Sequence, residues 1–412
     1  MKFKMPLIIT LVLTLLNCCS KEHSTPTNPK IIPGDTTYVD ASSSQQYIHG
    51  FGGASINDWR PDLTPDQIDK AFGLGDGKLG LSVLRIKVPN DSSTFMSQVA
   101  TAKAAKALGA VIIASPWSPP AWMKTSHNIV GGSLNSNSYA AFANHLNSFV
   151  RTMFFNEAAL DAISIQNEPD IQVTYESCDW TSSQMITFIN NNSSSVGCKL
   201  MAAESFHFDK SFTDPILNDP TAVTKVDYIA GHIYGAGLSN YALAAQKGKE
   251  VWMTEHYTDT NDANTWSGAM TLAKEIHDCM NSGFSLYCWW YIVRYYGLID
   301  ENSNVTKRGW VMSQYARFVR PGSYKISATV NPTSGVYVTA YKNGSTIIII
   351  AINQNTGEAS LPFSISGATV SAFSRYVTSN GSNVAKESDL TVSGKSFEIS
   401  LPNSSITTLV SY

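Results

Sequence analysis

Two glutamates in this 412-residue chain stand where catalysis could be done. Glu168 closes a short apolar run in Ser164-Ile-Gln-Asn-Glu-Pro-Asp170, and Glu255 closes another in Val251-Trp-Met-Thr-Glu-His-Tyr257. A carboxyl and a carboxylate facing each other across one site are what glycoside hydrolysis needs: one protonates the leaving oxygen and the other attacks the anomeric carbon. A single strand-end glutamate is more often a satisfied structural carboxylate, so the reading rests on the pair and its flanks.

Other chemistries lack their residues. There is no Cys-x-x-Cys and no His-Glu-x-x-His, and the 8 His are scattered, so neither a metal nor a cofactor is expected. Gly73-Leu-Gly-Asp-Gly77 precedes Leu81 instead of following a strand and reads as a turn, not a phosphate loop. Lys+Arg 29 against Asp+Glu 32 leaves a net charge of -3, without the basic excess that a nucleic acid or an anionic membrane surface demands. With 43% apolar and 15% charged residues, the chain can bury a sizeable core.

The elements that must position the glutamates repeat one unit, a short apolar run followed by a helical segment. The runs are His49–Ile56, Leu81–Val88, Val111–Trp117, Ala162–Glu168, Lys199–Glu204, Asp227–Tyr234, Glu250–His256 and Ser285–Ile292. Helical patterns such as Thr94–Leu108, Ser138–Phe154, Trp266–Ser282 and Trp310–Val319 lie between or after them. Strand then helix, eight times over, is the order of an α/β (β/α)8 TIM barrel, assigned to 48–320. Such barrels carry their catalytic groups at the C-terminal ends of the strands, where both glutamates fall.

After Pro321 the texture changes to alternating strands broken at Asn343-Gly344, Asn380-Gly381 and Ser393-Gly394. Residues 321–412 are expected to form a C-terminal antiparallel β-sandwich side domain, with 36–47 adding a strand or two to it. Sugar binding and plain packing both remain open for that module. At the other end, Lys2, Lys4, the apolar run Pro6–Leu16 and the pair Cys18-Cys19 read as an export signal over 1–19, followed by a Ser/Thr/Pro/Asn-rich linker over 20–35. A cysteine behind such a run is also the place for a lipid anchor, so a membrane-anchored lipoprotein and a secreted protein both stay open. The remaining Cys178, Cys198, Cys279 and Cys288 allow a disulfide without requiring one. A monomer is expected.

Taken together, the motifs resemble glycoside hydrolase family 30, and within it the bacterial glucuronoxylanases, which are endo-β-1,4-xylanases. The resemblance lies in Asn167-Glu168-Pro169, Trp252-Met-Thr-Glu-His-Tyr257, Tyr287-Cys-Trp-Trp-Tyr-Ile-Val-Arg-Tyr-Tyr-Gly297, Gly50-Phe-Gly-Gly53, Ser115-Pro-Trp-Ser-Pro-Pro-Ala-Trp-Met123 and Gly231-His-Ile-Tyr-Gly235. It implies that Glu168 is the general acid/base and Glu255 the nucleophile of a retaining double displacement. Arg85 and Tyr234 would hold Glu255 charged, and Asn167 would bind the 2-hydroxyl of the sugar at the cleavage point. Trp59, Trp117 and Trp290 are expected to stack on sugar rings, whereas Trp122, Trp252 and Trp289 are expected in packing. Strand alternation requires Trp289 and Trp290 to point to opposite sides.

The resemblance also implies that Arg294 pairs with the carboxylate of a glucuronic acid branch, helped by Tyr257, Thr260, Tyr291 and Tyr296. Thr260 stands where the family usually has serine, and Val293 where many members carry a second arginine. The plain alternative for Arg294 is a surface arginine paired with a carboxylate such as Asp300. The function implied is hydrolysis of glucuronoxylan; a same-family xylanase indifferent to uronate, a β-1,6-glucanase and a non-catalytic glycan-binding lipoprotein are the rivals.

Overall fold

Parallel strands buried on both faces read as near-continuous apolar runs, and here eight of them close into one ring. They are β1 (Gly50–Ala54), β2 (Val83–Val88), β3 (Val111–Pro116) and β4 (Ala162–Ser164). The ring continues with β5 (Leu200–Ser205), β6 (Tyr228–His232), β7 (Glu250–His256) and β8 (Phe284–Trp289), which pairs back to β1. The computed structural model describes residues 35–258 and 264–412, together with the backbone of Ile32–Pro33. The expected export signal, including Cys18 and Cys19, lies outside the described residues.

Alternation along each strand sorts side chains between two interiors. On β2, Leu84, Ile86 and Val88 join the large core beneath the helices, while Val83 faces the barrel axis. On β8, Tyr287 and Trp289 pack outward, whereas Leu286 and Cys288 face in. The floor of the barrel is closed by Trp252 stacked on Tyr228, ring centroids 3.7 Å apart. Gly52 on β1 is required by close approach, since a Cβ there would lie 1.8 Å from the Val83 carbonyl oxygen.

Several boundaries depart from the pattern in the sequence. The segment Thr94–Leu108 divides into a 3-10 turn over Ser92–Gln98 and a helix over Val99–Ala107, and the last barrel helix starts earlier, at Lys307–Ala316. The fourth strand stops at Ser164 because the chain leaves the ladder to reach Glu168, whose φ of 46° is left-handed. Such a conformation costs a non-glycine residue of order 1–3 kcal/mol and persists only where its surroundings impose it.

A second sheet has ten strands and is mostly antiparallel. The strand Thr37–Ile48 sits inside it, antiparallel to Ser323–Ala328 and parallel to part of Ala359–Ser366. The sheet folds back on itself, so that Phe397 stacks on Phe363 at 4.8 Å and meets Phe373 at 5.1 Å around a core of its own. The strand Thr346–Asn353 shows how this core joins the barrel's. Ile347 and Ile349 point into the sheet's own core, while Ile348, Ile350 and Ile352 point into the core under helices Trp266–Asn281 and Lys307–Ala316. Gln314 Nε2 donates to Thr378 Oγ1 at 2.8 Å, and Trp266 Nε1 donates to Ser404 Oγ at 2.8 Å across the same face. The cysteines Cys178, Cys198, Cys279 and Cys288 are all free thiols.

Candidate active site

The C-terminal mouth of the barrel collects charge. On β2, Arg85 follows Val83 on the inward face, fully buried, and its guanidinium reaches β5, β7 and the loop after β4. It donates to Glu255 Oε2 at 2.6 Å, to Asn167 Oδ1 at 2.7 Å and to Glu204 Oε1 at 3.2 Å. A register shift on β7 beside His232 lets Glu255 turn inward after Trp252, where strict alternation would have aimed it at the helices. Tyr234 Oη donates to Glu255 Oε1 at 2.8 Å, so both oxygens of this carboxylate accept a hydrogen bond.

Glu168 is held by other partners. Tyr175 Oη donates to its Oε2 at 2.8 Å, and His232 Nδ1 lies 2.9 Å from its Oε1. One oxygen of Glu168, one of Glu255 and a ring nitrogen of His232 all lie within 4.8 Å of one another. That separation suits a carboxylate pair with a direct nucleophile, for which about 5–5.5 Å is usual, and falls short of the ~6.5–9.5 Å that leaves room for a water in inverting enzymes. The same trio is also the set of ligating atoms that a cation would need. Arg85, 2.6 Å from Glu255, already supplies the positive charge there.

The electrostatics follow from burial and from who faces whom. Burial works against the Glu204 charge, but Arg85 and His232 outweigh it and hold that carboxyl down to about 2. Burial likewise works against a charged His232, and the carboxylates of Glu255, Glu168 and Glu204 overcome it, raising the imidazole to about 9. Burial is the largest influence on Glu255 and raises it; His232 and Arg85 pull it down, Glu168 raises it again, and the net direction is up.

A cleft of about 340 Å³ opens over the pair, lined by Trp59, Trp117, Glu168, Tyr175, Phe206, Tyr234, Glu255, Tyr257 and Trp290. Trp59, Trp117 and Trp290 form one aromatic wall, with ring centroids 5.1, 5.8 and 6.0 Å apart. Phe206 stacks on Tyr234 at 4.8 Å. Trp289 is fully buried behind the barrel and Trp252 lies on its floor. Trp122, expected in packing, is instead 64% exposed on the loop after β3, because Met123 takes the inward position of that turn.

Arg294 follows β8 at the edge of the cleft. Its guanidinium carbon lies 5.6 Å from the Tyr296 ring centroid and 5.9 Å from that of Tyr291, and Tyr296 stacks on Tyr257 at 5.1 Å. Among the described residues it has no carboxylate partner. The alternative pairing with Asp300 is thereby overturned: that carboxylate is occupied by the backbone N–H groups of Asn302 and Asn304 and by Asn304 Nδ2. Tyr291 is nearly fully buried and turns away from the cleft toward a neighbouring cavity that also touches Arg60 and Glu301. Thr260 lies outside the described residues.

The chain is 41% identical over 397 residues to the glucuronoxylanase XynC of Bacillus subtilis strain 168, covering 93% of this chain and 94% of that protein. The chain belongs to glycoside hydrolase family 30. No family model matches it. Among solved structures, the family 30 subfamily 8 xylanase Xyn30A of Clostridium acetobutylicum superposes with a TM-score of 0.86 at 36% identity, over 91% of this chain and 99% of that one. A family 30 endoxylanase of Clostridium papyrosolvens C71 gives 0.84, also at 36% identity and with the same coverage. The barrel with its β side domain is thus the architecture of the family.

Four residues of this site were not singled out from the sequence: Tyr175, Glu204, Phe206 and His232. Two had a signal. Glu204 closes the fifth apolar run as Glu168 closes the fourth, and His232 lies two residues before Tyr234 inside the Gly231–Gly235 motif. Tyr175 and Phe206 sit on loops, where nothing local reports which side chain folds over the mouth.

Proposed function

We propose that the protein is a retaining endo-β-1,4-xylanase acting on xylan that bears glucuronic acid branches. The observation that carries this reading is the guanidinium of Arg294, without a carboxylate partner among the described residues, beside a cleft whose two glutamates suit double displacement. The relatives named for glucuronoxylan and xylan support the substrate class.

The charges of the site account for the steps. Three carboxylates, Glu168, Glu204 and Glu255, face two cations, Arg85 and, at neutral pH, His232. One further proton makes the cluster neutral. Arg85 cannot release its own proton, and its ion pair with Glu255 works against the burial of that carboxylate, favouring the charged form that a nucleophile needs. Attack by Glu255 on the anomeric carbon forms the glycosyl ester as Glu168 gives its proton to the departing sugar oxygen. Glu255 loses its charge and Glu168 gains one, so the cluster stays neutral throughout. The new charge on Glu168 lies against His232, and Glu168 then takes a proton from the water that releases the sugar. Asn167, its Oδ1 occupied by Arg85, offers N–H donors to the 2-hydroxyl of the bound sugar.

Product analysis on glucuronoxylan tests the proposal. Products whose uronic branch lies at one fixed distance from the new reducing end support it; products of mixed spacing, with equal rates on undecorated xylan, favour a xylanase indifferent to uronate. We also propose that the protein is exported, supported by Lys2, Lys4 and the apolar run Pro6–Leu16, with Cys18 or Cys19 as the point of lipid attachment if it is anchored. Among the described residues no helix is long and apolar enough to cross a membrane.

A further inference from the structure

β2 sends a second cation to the barrel mouth. Lys87 lies two residues beyond Arg85 on the same face and is 1% exposed. Its Nζ donates to Asp58 Oδ2 at 2.6 Å and to Glu176 Oε1 at 2.9 Å, and it lies 4.9 Å from the Trp59 ring centroid. Asp58 and Trp59 belong to the loop after β1, and Glu176 to the loop after β4. One buried ammonium therefore ties together two loops from separate parts of the barrel. Each loop carries, in the adjacent residue, a side chain that lines the cleft: Trp59 beside Asp58, and Tyr175 beside Glu176. Both cleft residues are substantially exposed, so little packing fixes them from the solvent side. Gln98 Nε2 adds a donor to Asp58 Oδ1 at 3.0 Å, which completes the anchor from behind.

We infer that Lys87 is a positioning residue for the acid/base, acting through Glu176 to keep Tyr175 on Glu168. Removal of the ammonium leaves Asp58 and Glu176 as two part-buried carboxylates without their counter-charge, and their repulsion drives the loops apart. Tyr175 then loses its 2.8 Å hydrogen bond, and the Glu168 carboxyl loses the donor that fixes the plane in which it presents its proton. Trp59 shifts too, but that affects every substrate alike, whereas misorientation of Glu168 affects only substrates that need a proton to leave. This inference rests on Glu168 being the acid/base.

The test measures kcat/KM, which reports the glycosylation step, on two aryl xylo-oligosaccharides, one with phenol as a poor leaving group and one with dinitrophenol as a good one. Lys87→Met and Tyr175→Phe should each lower the phenyl-to-dinitrophenyl ratio by at least about tenfold, within the range for a general acid. The double variant should lower it no further, because both act on one interaction. Lys87→Arg, which keeps charge and donors, should restore the ratio to within about threefold of the parent. A uniform loss on both substrates, or losses in ratio that multiply in the double variant, overturns the inference. If Lys87→Met does not fold, Glu176→Gln carries the same ratio test. Failure of the underlying reading looks different: Glu168→Gln would itself leave the ratio unchanged.

Discussion

Replacing Arg294 with alanine separates substrate recognition from stability, because among the described residues the guanidinium is part of no ion pair. No carboxylate among the described residues depends on it, and its contacts are with the faces of Tyr291 and Tyr296. Its removal therefore strands no buried charge among the described residues, and the thermal midpoint should move by no more than about 2 °C, the scale of a substitution that breaks no ion pair. The effect on a uronate branch is much larger. A guanidinium fork offers two parallel N–H donors to a carboxylate, and hydrogen bonds to charged groups contribute ~1.5–3 kcal/mol, or roughly 10- to 150-fold. The two tyrosine faces hold the fork in one orientation, so little of that is lost to ordering the side chain. The net charge of -3 gives the protein no general attraction for uronate that could compensate. Arg294→Ala should lower kcat/KM on glucuronoxylan at least about tenfold, while kcat/KM on linear xylo-oligosaccharides changes by less than about twofold. Arg294→Lys, a point charge without the fork, should fall between parent and alanine variant. Initial rates of reducing-end release on both substrates decide it. Equal losses on both would show that Arg294 shapes the cleft and does not read the branch, and no loss on either would remove the uronate from the reading.

Glu168→Gln and Glu255→Gln should each abolish most turnover on xylan with the fold intact, and proton NMR of the first product released by the parent should show the retained anomer; an inverted first product would refute Glu255 as nucleophile. His232, raised from 6.5 to about 9, contributes stability that is complete below pH 6.5 and lost as pH rises through about 9. The thermal midpoint of the parent should therefore fall across that alkaline window, by an amount corresponding to roughly 3 kcal/mol, and His232→Gln should lack that slope; parallel curves for the two proteins would rule the linkage out. Deleting 321–412 should expose the apolar face that Ile348, Ile350 and Ile352 cover and yield insoluble protein, which a sedimentation assay checks directly; a soluble, fully active truncation would contradict it.

The barrel was legible because its strands are buried on both sides and so stand out as apolar runs, with Glu250–His256 coinciding to the residue. The sequence misled where a run continued but the ladder did not. Ile165 to Glu168 carries on the pattern of Ala162–Ser164, and only the left-handed turn at Glu168, imposed by its tertiary partners, ends the strand. Glu168 and Glu255 could be found because each closes a run. The network around them was not legible, because Arg85, Glu204 and His232 come from different strands, Asn167 comes from the loop after β4, and they meet only once the ring closes. Trp122 shows the reverse error: composition alone makes a tryptophan core material, and only the turn geometry after β3 decides which of its residues face inward.

The place of Thr37–Ile48 in the second sheet bears on how the chain is made. This strand emerges from the ribosome before any barrel strand, yet Ile48 pairs with Ser323 and Thr37 with Phe363. Among the described residues it has no strand partner until Ser323–Ala328 has been made, and the outer faces of helices Trp266–Asn281 and Lys307–Ala316 stay uncovered for the same interval. Pairings this distant along the chain form slowly. The first strand of such a chain is thus secured only after the barrel that it precedes has been made.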